Sequence, residues 1–377
     1  MVGGGTMDLV VLAEVRWGYF RTRKQFLLSR FPERWRVLYA QPPAAGADDP
    51  WRPRTEGRVT SFTVPFLKPA TTSPLYNGVT ALAPGRAAIE GVAEVWLRAA
   101  LRRLGVGRDA VVMASNIYAP GALSRLPRKL LFYDFNDHPL QFAGVPAWAE
   151  GYFGRTVAQA DAVFVVSEHY RRQLAQQFSN PLVALGNGVE LERFATPAPP
   201  PPELAGRPRP WVGYVGLLSH FLDFEVLEAV RRARRGGTLV IAGPGSPATA
   251  EAVRSLAGRE GVVVGGSIPY PLVPGWMQAL DVGIIPFGAN HPFVTGINPN
   301  KVYQYLAAGL PVVTTPILDL EERPPHLQFA SSPAAFGDAV GRALDAPRDR
   351  DARRALARPY DWDALAARMV DEIERRL

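Results

Sequence analysis

The stretch Asn298 to Val313, NPNKVYQYLAAGLPVV, sets a lysine and a glutamine three residues apart at the start of an otherwise apolar helical pattern. Gly296, Asn298 and Pro299 read as a turn, so a helix starts near Asn300 and the N–H groups of its first turn offer a site for an anion such as phosphate. Lys301 falls in that turn and Gln304 one turn later on the same face, while Val302, Tyr305 and Leu306 can point to the core. The chain holds 38 Arg but only four Lys, at positions 24, 68, 129 and 301. A compact ammonium serves a phosphate as a point charge, whereas the Arg fork imposes planar geometry. The competing reading is a solvated surface lysine.

A second constellation lies in LFYDFNDHPLQF, Leu131 to Phe142. Asp134, Asp137 and His138 cluster at the end of a strand-like run, where a carboxylate could take a proton from an attacking hydroxyl. Helix capping is the alternative for both aspartates, and His138, which precedes Pro139, is either a loop residue or a second proton acceptor. Of the remaining histidines, His169 sits on a charged helix, His220 follows a glycine-bearing strand end, and His291 precedes a proline. The three do not make a metal-ligand spacing. The DWD of Asp361 to Asp363 opens a terminal helix and reads as an N-cap, not as a metal motif.

In WVGYVGLLSHFLDFEVLEAV, Trp211 to Val230, Gly213, Gly216 and Ser219 do not spell a dinucleotide fingerprint, and the next strand ends in Ala242-Gly243 without an acid. A nicotinamide dehydrogenase is thereby demoted. Gly216 and Gly243 to Gly245 either let the backbone approach a ligand or simply turn the chain.

The elements that must hold these residues form an α/β pattern. Apolar runs at residues 8–15, 35–40, 110–115, 129–135 and 162–167, then at 211–216, 238–243, 262–266, 282–287 and 311–315, alternate with amphipathic helical stretches. That rhythm predicts two Rossmann-like domains with parallel sheets, whose ligands bind beyond the carboxyl ends of the strands. The expected organisation is a first domain over 1–195, a proline-rich linker over 196–210, a second domain over 211–355 and a C-terminal helix over 356–377 that packs toward the first domain. Leu365, Met369, Val370 and Ile373 form that helix's apolar stripe, with Asp361 or Asp363 as N-cap.

At 377 residues and 47% hydrophobic, the chain suits two buried cores. No apolar run is long enough to span a bilayer and no signal-peptide pattern appears, so a cytoplasmic protein is expected. The absence of cysteine excludes disulfides, thiolate metal sites and a cysteine nucleophile. Residues 1–196 hold 23 Lys and Arg against 16 Asp and Glu, whereas residues 197–377 hold 19 of each, so the whole excess of +7 lies in the first half. An anionic partner fits, and so does mere Arg-rich composition. Arg16 to Arg36, RWGYFRTRKQFLLSRFPERWR, interleaves basic with aromatic side chains. It could lie on an anionic membrane, or form an ordinary first helix with its apolar face buried.

Taken together these residues resemble the GT-B glycosyltransferases. NGVELERF (Asn187 to Phe194), VGYVG, LDFEVL, LVIAGP, DVGIIPF and NPNKVYQYLAAGLPVV follow in that family's order, specifically from Trp211 to Thr315 and only as a pattern over the first domain. The likeness is greatest to bacterial polysaccharide enzymes such as the xanthan-pathway glucuronosyltransferase and the teichuronic-acid glycosyltransferases. It implies a sugar carried from a UDP-linked donor to a lipid-linked or glycan acceptor, as substrates of a metal-independent enzyme without a cofactor. By the same resemblance Lys301 meets the diphosphate, Gln304 the diphosphate or sugar, and Asn300 flanks them. Ser267 and Ile268 face the uracil edge, Phe287 closes the base or ribose side, Gly216 and Leu217 approach the donor, and His220 borders the sugar. Asp137 matches the base position best, with Asp134 beside it. Gln304 stands where several branches carry glutamate, which points to a uronic-acid donor, whereas Ser267 and Phe287 depart from the acidic and tyrosine side chains of the xanthan-type enzyme. The rivals are a GT-B-like sugar-nucleotide epimerase and a basic nucleic-acid-binding protein. The latter lacks any recognised binding module, so no nucleic-acid partner is expected.

Overall fold

Runs such as Leu9-Val10-Val11-Leu12 and Val282 to Ile285 have aliphatic side chains on both faces, and only a strand covered on both sides can bury them all. The computed structural model describes residues 6–377 except 19–20, 44–51, 70, 143, 289–293, 295, 321–325 and 348. Tyr19 and Phe20 of the basic-aromatic stretch and His291 therefore lie outside the described residues.

The first sheet has eight strands: β1 (Met7–Leu12), β2 (Trp35–Gln41), β3 (Arg54–Glu56), β4 (Val59–Thr63), β5 (Val111–Ala114), β6 (Leu130–Phe135), β7 (Ala162–Val165) and β8 (Leu182–Ala184). Their order is β3-β4-β2-β1-β5-β6-β7-β8, with β3 alone antiparallel to its neighbour. The second sheet has six parallel strands in the order β11-β10-β9-β12-β13-β14. These are β9 (Trp211–Val215), β10 (Thr238–Ala242), β11 (Val262–Val264), β12 (Val282–Ile285), β13 (Val312–Thr314) and β14 (Leu327–Phe329). In each sheet the chain builds outward one way from the first strand and then crosses to its other side. The crevices where the order reverses are β1/β5 and β9/β12.

Two compact units result, Met1–Leu185 with Leu365–Leu377, and Gly186–Ala364. The expected boundary at residue 195 is corrected to Gly186. The proline-rich segment is not a free spacer, because it packs onto the second unit. Gln278 accepts a hydrogen bond from the Ala198 amide (2.9 Å) and donates to the carbonyls of Phe194 and Thr196, and Leu204 is fully buried. Gly275 fits there because a Cβ would lie 2.4 Å from the Pro199 carbonyl oxygen. The second unit also extends past residue 355 to Ala364.

The final helix, Trp362–Glu374, begins with Asp361 accepting from the Asp363 amide (2.8 Å), as a capping aspartate does. Leu365, Met369, Val370 and Ile373 are 0–2% exposed. Within the first unit Glu374 holds the helix by accepting from Arg34 (2.6 Å) and from the Trp35 indole (2.9 Å).

The stretch Arg16 to Arg36 takes the ordinary course of a first helix. Arg23–Leu28 is buried along its length, and Phe26, Leu27, Leu28, Phe31 and Trp35 all enter the interior. Those five side chains are spent on the core, while Trp17 stays half-buried. Among the described residues no helix is long and apolar enough to cross a membrane.

Candidate functional site

In the second unit the helix Asn300–Ala307 begins with Pro299 as N-cap, and no side chain caps it. Val302, Tyr303, Tyr305 and Leu306 are buried, while Asn300, Lys301 and Gln304 keep partial exposure, so the inward and outward faces fall where the spacing places them. The Lys301 side chain crosses Gly216 at the end of β9, and its Nζ stands 5.3 Å from the centre of the Tyr214 ring. A Cβ on Gly216 would fall 1.9 Å from Lys301 Cε, and at φ +153° the position also disfavours any other residue. Gly243, at φ +143°, ends β10 equally bare, since a Cβ there would meet the Gly216 carbonyl oxygen at 1.9 Å. The glycines are thus needed for close approach, and what approaches Gly216 is the lysine.

Burial lowers the Lys301 pKa to about 8, and among the described residues no carboxylate pairs with it. The Gln304 amide likewise makes no hydrogen bond to the described residues. A part-buried ammonium with no counter-charge among the described residues, beside an unengaged amide one turn along the same helix, is an arrangement that an anion would complete.

Two devices fix this helix. The Tyr305 ring lies against Gly283, where a Cβ would clash at 2.6 Å, and its hydroxyl accepts from the Val215 amide (2.9 Å). That hydroxyl stands where β9 and β12 diverge after only two paired residues, Val212 and Gly213 of β9. At the other end, buried Asn298 donates to Asp319 (2.5 Å) and accepts from the Asn187 amide (3.0 Å), while Asn187 Nδ2 donates to the Asn298 carbonyl (2.7 Å). The sequence marks Asn187 and Asn298 separately, each within its own motif. Nothing in their spacing of 111 residues joins them.

The other expected contacts are distributed more unevenly. Leu217 is 50% exposed with its carbonyl held by the Tyr214 hydroxyl (2.9 Å), and His220 is exposed, its ring 4.1 Å from that of Phe221. Ser267 is exposed after β11, and Ile268 packs half-buried against the core. Phe287 is corrected from a ligand-closing side chain to a core one. It is 6% exposed, with its ring edge-on to Tyr214 at 6.2 Å, so it supports the aromatic floor beneath Lys301.

In the first unit a charged cluster occupies the carboxyl ends of β1, β5 and β6. Lys24 donates to Glu14 (2.5 Å), whose other oxygen accepts from Ser115 (2.6 Å). Asp134 pairs with Arg23 at 3.2 Å, and both side chains are at most 2% exposed. Asp134 therefore cannot meet an acceptor, and its expected place among the catalytic carboxylates is corrected to that of a support. Asp137 is half-buried just after β6 and accepts from Asn136 (2.8 Å). Burial raises its pKa to about 6, and the neighbouring Glu14 and Asp134 push the same way while Lys24 and Arg23 pull back. Burial alone would lower Lys24, but Glu14, Asp134 and Asp137 outweigh it and hold the ammonium charged.

The capping alternative for the two aspartates falls, since Asp134 lies within β6 and the next helix does not start until Ala149. His138 packs against Phe135, Phe153 and Tyr170 at 5.6–6.0 Å, and burial lowers its pKa, so it is a neutral member of an aromatic cluster. His169 is half-buried beside the Tyr170 ring at 5.6 Å. Sequence reasoning misses Glu14 and Lys24 as site residues. Glu14 falls within the first apolar run and Lys24 within the basic-aromatic stretch, and neither place marks a site residue.

Residues 209–346 match the family described as Glycosyl transferases group 1. Over nearly its full length the chain superposes on solved structures. One is the sucrose-phosphate synthase of Thermosynechococcus elongatus, with a TM-score of 0.74, 15% identity and 98% of each chain covered. Another is Anabaena Alr3699/HepE in complex with UDP-glucose, with a TM-score of 0.65, 15% identity, and 98% of this chain and 100% of that one covered. The chain has the GT-B fold of the glycosyltransferases. A curated relative, "Putative teichuronic acid biosynthesis glycosyltransferase TuaH" of Bacillus subtilis (strain 168), is 26% identical over 223 residues, 56% of each protein. The chain thus spans about half the length of the curated relative it matches. The family match falls on the second GT-B unit, which carries Gly216, Lys301 and Gln304.

Proposed function

We propose that this GT-B protein transfers a sugar from a UDP-linked donor to a hydroxyl of a lipid-linked or glycan acceptor in bacterial polysaccharide synthesis. The observation that carries the proposal is the part-buried Lys301 ammonium, unpaired among the described residues, lying over bare Gly216 at the β9/β12 crevice. A UDP diphosphate supplies the missing charge, and the open first turn of Asn300–Ala307 adds its N–H groups. Gln304 donates to the diphosphate or the sugar. Support for UDP comes from HepE, which was solved with UDP-glucose. The lysine-glutamine pairing favours a uronic acid, glucuronate above glucose.

For the transfer itself, Asp137 takes the proton of the acceptor hydroxyl and the acceptor oxygen attacks the anomeric carbon. The bond from that carbon to the diphosphate oxygen breaks, and UDP leaves with the electron pair, its charge met by Lys301 and the helix terminus. No step in this scheme calls on a metal ion.

The test is a titration with UDP, UDP-glucuronate and UDP-glucose, repeated with Lys301→Met and in the presence of a chelator. UDP affinity should fall about 100-fold or more in the variant, as expected when a charge-assisted phosphate contact is lost, and should not respond to the chelator. Unchanged affinity in Lys301→Met refutes the site.

A further inference from the structure

Among the described residues, eleven large apolar side chains stand exposed, and six come from one helical pair of the first unit: Leu75, Val79, Leu82, Val92, Val95 and Trp96, at 40–80% exposure. They lie on Pro74–Ala81, on Ala83–Arg103 and at the junction between them. On the longer helix Val92, Val95 and Trp96 recur at i, i+3 and i+4 and share one face, while Ala93, Leu97 and Leu101 take the opposite face into the core. An ordinary surface helix turns polar residues outward. This one is apolar on both sides through its middle turns.

Along the helical pair the acids are few and engaged. From Thr72 to Arg108 the only acids are Glu90 and Glu94. Both are engaged elsewhere, Glu90 by the Tyr152 hydroxyl and the Gly121 amide, and Glu94, 8% exposed, by Arg125. Arg102 and Arg103 are exposed at the end of the apolar face. Across a groove of about 750 Å³, lined by Pro53, Phe62, Val92, Val95, Trp96 and Arg103, the edge strand β3 adds exposed Arg54, with exposed Arg52 just before it, while the strand's one acid, Glu56, accepts from the Trp17 indole (3.1 Å). The Trp96 indole N–H is fixed to the Thr63 carbonyl at 3.0 Å while its ring stays 44% exposed, an apolar body held rigidly at a polar boundary. The excess basic charge of the molecule also belongs to the first half of the chain.

We propose that this face docks onto an anionic lipid bilayer. Leu75, Leu82, Val92, Val95 and Trp96 enter the headgroup region, and Arg102, Arg103, Arg52 and Arg54 meet the lipid phosphates. A second protein copy would have to bring both an apolar strip and a field of carboxylates, whereas an anionic membrane presents both in one surface. The proposed membrane contact is therefore placed on residues 74–103 and the neighbouring sheet edge, whereas Phe26, Leu27, Leu28, Phe31 and Trp35 of the Arg16–Arg36 stretch are buried.

Flotation of the intact chain with phosphatidylcholine vesicles, with and without phosphatidylglycerol, tests this. Co-flotation with the anionic vesicles and weakening by salt are expected. Leu75→Gln with Val95→Gln, and separately Arg102→Ser with Arg103→Ser, should each lower the partition coefficient by roughly tenfold or more. All four positions are exposed, so melting temperature and UDP affinity, read on the same preparations, should stay at the wild-type level. Failure to float with anionic vesicles, or flotation indifferent to both variants, overturns the proposal. So does a concentration-dependent dimer in sedimentation that Leu75→Gln with Val95→Gln abolishes, which would assign the face to a second copy. Loss of UDP binding in the wild type would refute the donor site and leave the membrane result standing.

Discussion

Lys301 and Asp137 are displaced from their ordinary titration ranges by the same cause, burial, and in opposite directions. Asp137 accepts a proton only when ionised, so turnover should rise as pH climbs through about 6. Lys301 attracts a diphosphate only when charged, so UDP affinity of the free protein should fall as pH passes about 8. A bell-shaped kcat/KM with those limbs is the expected profile, and a flat one between pH 5 and 9, about a unit beyond each limb, would remove both groups from the mechanism. The lowered lysine has a second consequence, because its folded value lies below its unfolded one. The unfolded chain then binds more protons between the two values, so stability is diminished at neutral pH and recovers as pH rises through 8 toward 10.5. Lys301→Met should therefore raise the stability of the ligand-free protein, by up to about 3 kcal/mol, while removing UDP binding. Chemical denaturation checks the first half, and a destabilised variant would contradict it. Lys301, Gln304 and Asp137 are legible in the sequence because each stands out by type at a strand or helix end. Glu14 and Lys24 are not legible as charged neighbours of Asp137, since their nearness depends on the ends of β1 and β6 and the helix Arg23–Leu28 coming together.

The elements carry function mainly through what their ends leave out. Gly216→Ala and Gly243→Ala are the same chemical change, yet they differ in what the new methyl meets. At 216 it meets the far end of a flexible lysine, so the fold should lose only the strain of the backbone angle, about 1–3 kcal/mol, while UDP binding falls sharply. At 243 it meets the backbone of the neighbouring strand end, which cannot swing aside, and the larger loss should be in stability. Comparing melting and UDP titration for the pair checks this. Equal behaviour of the two would deny that Lys301 is what Gly216 accommodates. Ten of the fourteen strands are legible as apolar runs. The three-residue β11 and β13 show because they sit in longer apolar runs, whereas β3 (RTE), β4 (VTSFT), β8 (LVA) and β14 (LQF) are short or polar stretches without such a run, so none of these four announces itself.

At the scale of the molecule, both sheets share one course over six parallel strands, to which the first adds β3 and β8, and the alternation of apolar runs with amphipathic stretches makes their α/β architecture readable from the amino-acid order alone. The boundary is not readable that way, because prolines with the composition of a spacer pack against Gly275 and Gln278, and packing partners far along the chain leave no local mark. The chain leaves the first unit after Leu185 and rejoins it at Leu365. Just inside those limits Val189 and Trp362 meet, the Val189 amide donating to the Tyr360 carbonyl (2.9 Å) and the Trp362 amide to the Val189 carbonyl (3.0 Å). In topological terms the second unit is a guest inserted into a host, and its two ends are stitched together at the point of insertion. Such a guest can be lifted out: residues 186–364 expressed alone should fold and keep UDP affinity within about threefold of the whole chain. A different guest with similarly adjoining ends could then be seated in the same host, which would make the choice of donor an exchangeable part.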